Sequence, residues 1–162
     1  MPRQRIPIPL RWSDMDAYGH VNNVQFLRLL EDARVLAFHA HSSDDGGNVL
    51  DTGVVVARHE IDYLRPLHYR PEPVAVDLWV SSMSAASFEM QYEVLDDTDS
   101  PVSNGERIVY ARAESTLVLY DLRQGRPRRF TATERENMAA WADERVPLRR
   151  EGKAEGKVES KA

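Results

Sequence analysis

The chain has 162 residues and a formal net charge of −5, a length that suits one domain able to bury its own core. With 42% hydrophobic and 29% charged residues and no cysteine, it is neither a disordered nor a fibrous chain, and disulfide frameworks, thiolate zinc sites, iron–sulfur clusters and a cysteine nucleophile are excluded. The acidic balance argues against nucleic acid as a partner. No run approaches the ~20 apolar residues that cross a bilayer or forms the apolar core of a signal peptide, so the expectation is a cytoplasmic protein without membrane or nucleic-acid partners.

In chain order, Ile6 to Trp12 is apolar with Pro7 and Pro9. Proline lacks the ladder N–H, so this segment is expected at a sheet edge. Phe26, Leu29, Leu30, Ala33, Leu36 and Ala37 then recur at helical spacing, one apolar stripe of a single long helix capped by Asn22 or Asn23. Phe38, like Phe26 and Trp141, is expected in the core, with these rings as candidates to line a pocket. Glu31 and Arg34 read as an i,i+3 pair. The run SSDDGGN at 42–48 supplies turn chemistry. From 52 to 121 the chain reads as four strands, around Val54–Leu64, Val74–Val80, Ala86–Val94 and Ile108–Tyr120. In the third, Phe88, Met90, Tyr92 and Val94 alternate with Ser87, Glu89, Gln91 and Glu93, the pattern of a strand with one dry and one wet face. The small residues Ala111, Ala113 and Ser115 leave room for a helix against the last strand. A short helix over 131–144 begins at a Thr-x-x-Glu box. Residues 149–162 carry five positive and three negative charges around a lone Val158. We read them as a disordered charged tail following a domain of residues 1–148. Helices and strands are segregated, which makes the fold class α+β with an antiparallel sheet.

The chemistry concentrates in Arg11-Trp12-Ser13-Asp14-Met15-Asp16-Ala17-Tyr18-Gly19-His20-Val21-Asn22-Asn23. A carboxylate and an imidazole here lie beside the free N–H groups and positive dipole end of a helix. Such a place binds an anion or polarises a carbonyl as it becomes an oxyanion. The bland alternative is equally physical: Asp and Asn before a helix serve as caps. Asp14, Asp16 and His20 as metal ligands is a weak signature without further histidines.

The stretch RWSDMDAYGHVNNVQFLRLLEDAR (11–34), together with Ile61-Asp62-Tyr63-Leu64-Arg65-Pro66-Leu67, resembles hotdog-fold acyl-CoA thioesterases of the 4-hydroxybenzoyl-CoA thioesterase type. The resemblance implies a sheet wrapped around one long central helix, dimers that pair their sheets edge to edge, and a homodimer or homotetramer. It implies hydrolysis of acyl-CoA in fatty acid metabolism with no metal and no cofactor. Asp16 matches the family's nucleophile or general base, Asn23 the helix-start N–H that polarises the thioester carbonyl, and His20 the histidine of the Gly-His-Val-Asn-Asn subgroup. Tyr18, Gly19, Val21, Asn22 and Arg65 fall where substrate would be bound. Tyr18 stands where related plant enzymes carry Asn, and Ser84-Ala85-Ala86 stands where the benzoyl-type enzyme has a basic cluster for the coenzyme A nucleotide. Arg58, Arg65 and Arg70 are the candidate replacements, although a strand-edge arginine is more often solvated or paired. Alternative readings are a hotdog enoyl-CoA hydratase or dehydratase, and a non-catalytic acyl-CoA-binding module.

Overall fold

The structure, a computed structural model, describes residues 2–41 and 48–149. Its elements are β1 (Gln4–Ile8), a 3₁₀ turn (Trp12–Asp14), α1 (Asn23–Ala40), α2 (Val49–Thr52), β2 (Val54–Tyr63), β3 (Val74–Met83), β4 (Ser87–Asp96), β5 (Ile108–Asp121), β6 (Arg126–Pro127) and α3 (Ala132–Ala139). The strands lie in the order β1-β3-β4-β5-β2, with β6 on β5, and every pairing is antiparallel. Pro7 is tolerated because β1 is an edge strand.

One face of this sheet wraps α1. Asn22 caps the helix, its side chain accepting the Val24 N–H at 3.0 Å. Phe26, Leu29, Leu30, Ala33, Ala37 and Phe38 are buried against Val76, Met90, Tyr92, Val94, Ala113 and Leu117 of the sheet. Each large side chain in that interface contributes roughly 1.5–3 kcal/mol through burial. Ala111, Ala113 and Ser115 are buried on β5, where their small side chains admit the helix as expected. A sheet curled around a single long helix is the hotdog fold, of the α+β class.

Four expectations are corrected. Leu36 is 49% exposed, because at 100° per residue it falls on the flank of a stripe centred near Leu30 and Ala37. Glu31 and Arg34 do not pair: Arg34 is buried and donates to the Tyr92 hydroxyl at 3.0 Å. The outer face of β4 is not wet. Gln91 and Glu93 are buried: Arg107 and Arg112 bind Glu93 at 2.7 and 2.9 Å, and α3 ends at Ala139 rather than at 144, so that the chain beyond it runs extended across the outside of the sheet. There Val146 and Leu148 bury with Trp79, the Val146 N–H donates to Gln91 Oε1 at 3.2 Å, and Arg145 forks onto Glu114 at 2.6 and 2.8 Å. Arg58 and Arg70 are not free for phosphates: Arg58 pairs with Glu60 and, at 3.8 Å, with Glu114, and Arg70 with Asp96 at 2.5 Å. The turn at 42–47 and the charged tail from 150 onward lie outside the described residues.

Candidate active site

The segment between the 3₁₀ turn and α1 is a tight loop closed on itself. Asp16 N–H donates to the His20 carbonyl at 2.8 Å, Gly19 N–H to the Asp16 carbonyl at 3.1 Å, and Met15 bridges Val21. Gly19 has φ +74, a left-handed conformation that a side chain would strain. The loop is stitched to the segment after β2 by Val21 N–H donating to the Leu67 carbonyl at 2.7 Å and by a bridge between His20 and His68. On its other side Asn22 N–H donates to the Asp14 carbonyl at 2.8 Å.

The two aspartates of the motif have different surroundings. Asp14 is buried, and its Oδ2 accepts from Arg28 of α1 at 2.8 Å and from the Arg11 N–H at 3.0 Å. Asp16 is only partly covered. Its Oδ1 accepts the Tyr18 N–H at 2.8 Å and the His20 N–H at 3.3 Å, which fixes the carboxylate plane while Oδ2 receives no hydrogen bond from the described residues. Among those residues no group of three His, Cys, Asp or Glu is placed to hold a metal ion.

Asp16 opens onto a cavity of about 320 Å³ lined by His20, Val21, Asn23, Phe26 and the segment from Tyr63 to Leu67. At its floor α1 begins. The Val24 N–H is taken by the Asn22 side chain and the Gln25 N–H by the Asn22 carbonyl. The Asn23 N–H has no acceptor among the described residues, so one unsatisfied donor at the positive end of the helix borders the same cavity as Asp16. Tyr63 donates its hydroxyl to the Asn23 carbonyl at 2.9 Å and packs edge-on to Phe26, the ring centroids 5.4 Å apart. Burial pushes the Tyr63 phenol above its ordinary range, so it stays a donor near neutral pH.

Asp16, His20, Val21, Asn23 and Arg65 thus border one cavity. Tyr18, Gly19 and Asn22 stand beside it: Tyr18 is 83% exposed, Gly19 makes the turn, and Asn22 caps α1. The His20 ring makes no hydrogen bond to Asp16; it is the His20 backbone that orients the carboxylate. The ring instead meets His68 edge to face, with centroids 4.8 Å apart, and His68 Nδ1–H donates to the Gly19 carbonyl at 3.2 Å. Phe26, Tyr63, Leu64, Pro66 and Leu67 complete the wall. The 61–67 motif pointed to that segment, but nothing in the residue pattern singled out His68.

Residues 10–144 match the family described as the thioesterase-like superfamily. Among solved structures, a thioesterase from Thermus thermophilus, complexed with coenzyme A and Zn, is similar with 32% identity and a TM-score of 0.67 over 86% of this chain and 94% of that one. A predicted thioesterase from Bacillus stearothermophilus shares the fold at 20% identity and a TM-score of 0.71, covering 89% of this chain and 99% of that one. Another, a member of the thioesterase superfamily from Jannaschia, shares it at 21% identity and a TM-score of 0.65, covering 85% and 80%. No curated protein matches the chain.

Proposed function

The chain belongs to the thioesterase-like superfamily, and from that premise we propose that it hydrolyses acyl-CoA thioesters to a free acid and coenzyme A. One observation carries the reading: the Asp16 carboxylate, with Oδ2 uncommitted, and the unpartnered Asn23 N–H border one cavity. The coenzyme A bound to the 32%-identical Thermus thermophilus thioesterase supports the substrate class.

A thioester needs little acid assistance, because a thiol of pKa about 8.5 leaves readily as thiolate. It needs a nucleophile or base and a donor for the oxyanion. With the thioester carbonyl oxygen at the Asn23 N–H, the Asp16 carboxylate either removes a proton from water as that water attacks the carbonyl carbon, or attacks it directly to form an anhydride that water then opens. In both courses the C–S bond breaks as the tetrahedral oxyanion collapses, the electron pair leaves with the coenzyme A sulfur, and the thiolate takes up a proton. The His20 ring lies across the cavity as a wall and polar contact for water or thioester. Arg65 at the rim is exposed and makes no ion pair among the described residues, which leaves it available to the coenzyme A arm.

Thiol release should fall by at least about 10³-fold in Asp16→Asn and Asp16→Ala, with thermal unfolding unchanged because Asp16 is partly exposed and makes no ion pair among the described residues. Folded variants that still release thiol at the wild-type rate would sink the assignment. A panel of short, medium, long and aromatic acyl-CoAs in the same assay defines the acyl preference.

A further inference from the structure

Among the described residues, no side chain holds the Asp16 carboxylate. Both hydrogen bonds to its Oδ1 come from backbone N–H groups of its own loop, Tyr18 at 2.8 Å and His20 at 3.3 Å. The carboxylate is therefore only as well aimed as the two peptide units that donate to it. The Gly19–His20 unit is the weaker of the two. Its hydrogen bond is the longer, and it follows a glycine at φ +74, whose missing Cβ permits the adjoining peptide more than one orientation. This peptide is trans, so its C=O and N–H lie on opposite sides of one rigid plane. Whatever grips the Gly19 carbonyl thus also sets the direction of the His20 N–H. The turn itself does not supply that grip. Gly19 N–H donates to the Asp16 carbonyl at 3.1 Å and Asp16 N–H to the His20 carbonyl at 2.8 Å, which fixes the peptides on either side and leaves the Gly19 carbonyl to another partner.

That partner comes from outside the loop. Val21 N–H donates to the Leu67 carbonyl at 2.7 Å, and His20 and His68 form an antiparallel bridge, so the segment after β2 lies alongside the loop as a short pair of strands. Residues opposite each other in such a pair project to the same face, which is why the His20 and His68 rings meet with centroids 4.8 Å apart. From there His68 Nδ1 reaches the Gly19 carbonyl at 3.2 Å, and among the described residues no other group donates to that carbonyl. A carbonyl only accepts, so Nδ1 carries the proton. A hydrogen bond on the carbonyl side also polarises the peptide and strengthens its N–H as a donor.

We propose that His68 is a positioning residue for thioester hydrolysis: by holding the Gly19 carbonyl it turns the Gly19–His20 peptide so that the His20 N–H meets Asp16 Oδ1, and so keeps the uncommitted Oδ2 aimed into the cavity. His68 acts through the backbone and not on the reacting atoms. Its effect falls on the chemical step, because removing a proton from water or attacking the carbonyl carbon requires a near-attack geometry that a tilted carboxylate misses. Substrate binding is left largely as it was, since the cavity wall from Tyr63 to Leu67 keeps its own contacts with the helix start. His68 is exposed, so replacing it empties no part of the core.

The proposal rests on the acyl-CoA reading, and thiol release from an acyl-CoA by the wild-type protein and two variants separates their failures. His68→Phe keeps a ring against His20 and removes the donor. His68→Asn removes the ring and restores the donor, because its amide nitrogen, like Nδ1, stands two bonds from Cβ. The His68→Phe kcat should fall about fivefold or more with KM within about twofold of wild type, and His68→Asn should bring kcat back to within about twofold. A His68→Phe kcat equal to wild type overturns the proposal. So does an asparagine variant as slow as the phenylalanine one, or a loss confined to KM, which would make His68 a substrate contact. In each of these cases the wild-type turnover leaves the acyl-CoA reading intact, whereas a wild-type protein that releases no thiol overturns both. The hydrogen bond itself is read without relying on a variant's fold, by ring-nitrogen NMR of the wild-type protein at about pH 8, above the ordinary range of a histidine. The Nδ1-protonated tautomer at His68 is expected, and the Nε2-protonated one overturns the assignment.

Discussion

Asp14 and Asp16 lie two residues apart in one motif and serve different ends. The side chain of Asp14 turns inward to Arg28 and the Arg11 N–H, tying the loop to the first turns of α1. Asp16 keeps one oxygen out of every hydrogen bond among the described residues. That difference was not legible in Asp-x-Asp itself, because it depends on an arginine 14 residues further on, and α1 must form before the two can meet. The resemblance singled out Asp16, His20 and Asn23, the helix-capping argument pointed to Asn22 or Asn23, and the 61–67 motif reached Tyr63; His68, whose ring meets that of His20, became visible only in the fold. Separate roles imply separable defects. Asp14→Ala should leave Arg28 half-buried without that carboxylate and cost about 3 kcal/mol, read as a lower urea midpoint with the slope unchanged. An Asp14→Ala midpoint equal to wild type would show that the loop does not depend on this anchor.

At the scale of elements, what was legible was whatever repeats locally. The period of α1, the alternation of β3 and β4, the small face of β5 and the Thr131–Glu134 capping box all survive into the structure, the box with Thr131 N–H donating to Glu134 Oε2 at 2.9 Å. What failed was the inference from polar residues to solvent. Gln91, Glu93 and Glu114 occupy outward positions, yet all three are buried. A segment without periodicity, residues 143–148, answers Gln91 with a backbone N–H and Glu114 with an arginine, while Arg107 and Arg112 answer Glu93. Nothing in Asp143-Glu144-Arg145-Val146-Pro147-Leu148 announces a docked strap, because its two apolar residues acquire a partner only when Trp79 is presented by β3. The strap should therefore contribute to global stability. Leu148→Ala is expected to cost about 2–3 kcal/mol by urea denaturation, whereas the exposed Leu36→Ala should cost under about 1 kcal/mol. Equal costs for the two would mean that the strap is not part of the cooperative unit.

Across the whole molecule, the paired charges set how stability answers to pH. Burial alone would raise the carboxyls of Glu93 and Glu114, but hydrogen bonds from Arg107 and Arg112 to the first, and from Arg145 and Gln91 to the second, outweigh it and hold both below their ordinary 4.5. Glu134 is lowered against the same burial by Arg128 and the Thr131 N–H. A carboxyl with a depressed folded value makes its full contribution above its unfolded value and loses it as pH falls through the folded one. His59 works in a different window. Burial first, and then the positive charge of Arg34, lower it from 6.5, against a smaller opposing pull from Glu31, while its Nδ1 bonds Ser115 Oγ at 2.6 Å. Below about 6.5 the unfolded chain takes up the proton more readily than the folded one, so stability must already decline there as pH falls. Thermal unfolding midpoints should accordingly hold level above about pH 7, descend gently below about 6.5, and descend steeply once below about 4.5. His59→Gln, which keeps a polar contact for Ser115 without a titrating ring, should abolish the gentle upper descent and leave the steep one in place. A wild-type midpoint that stays level down to about pH 4.5 would remove His59 from this account, and the carboxylates of the sheet's outer face would then carry the pH response alone.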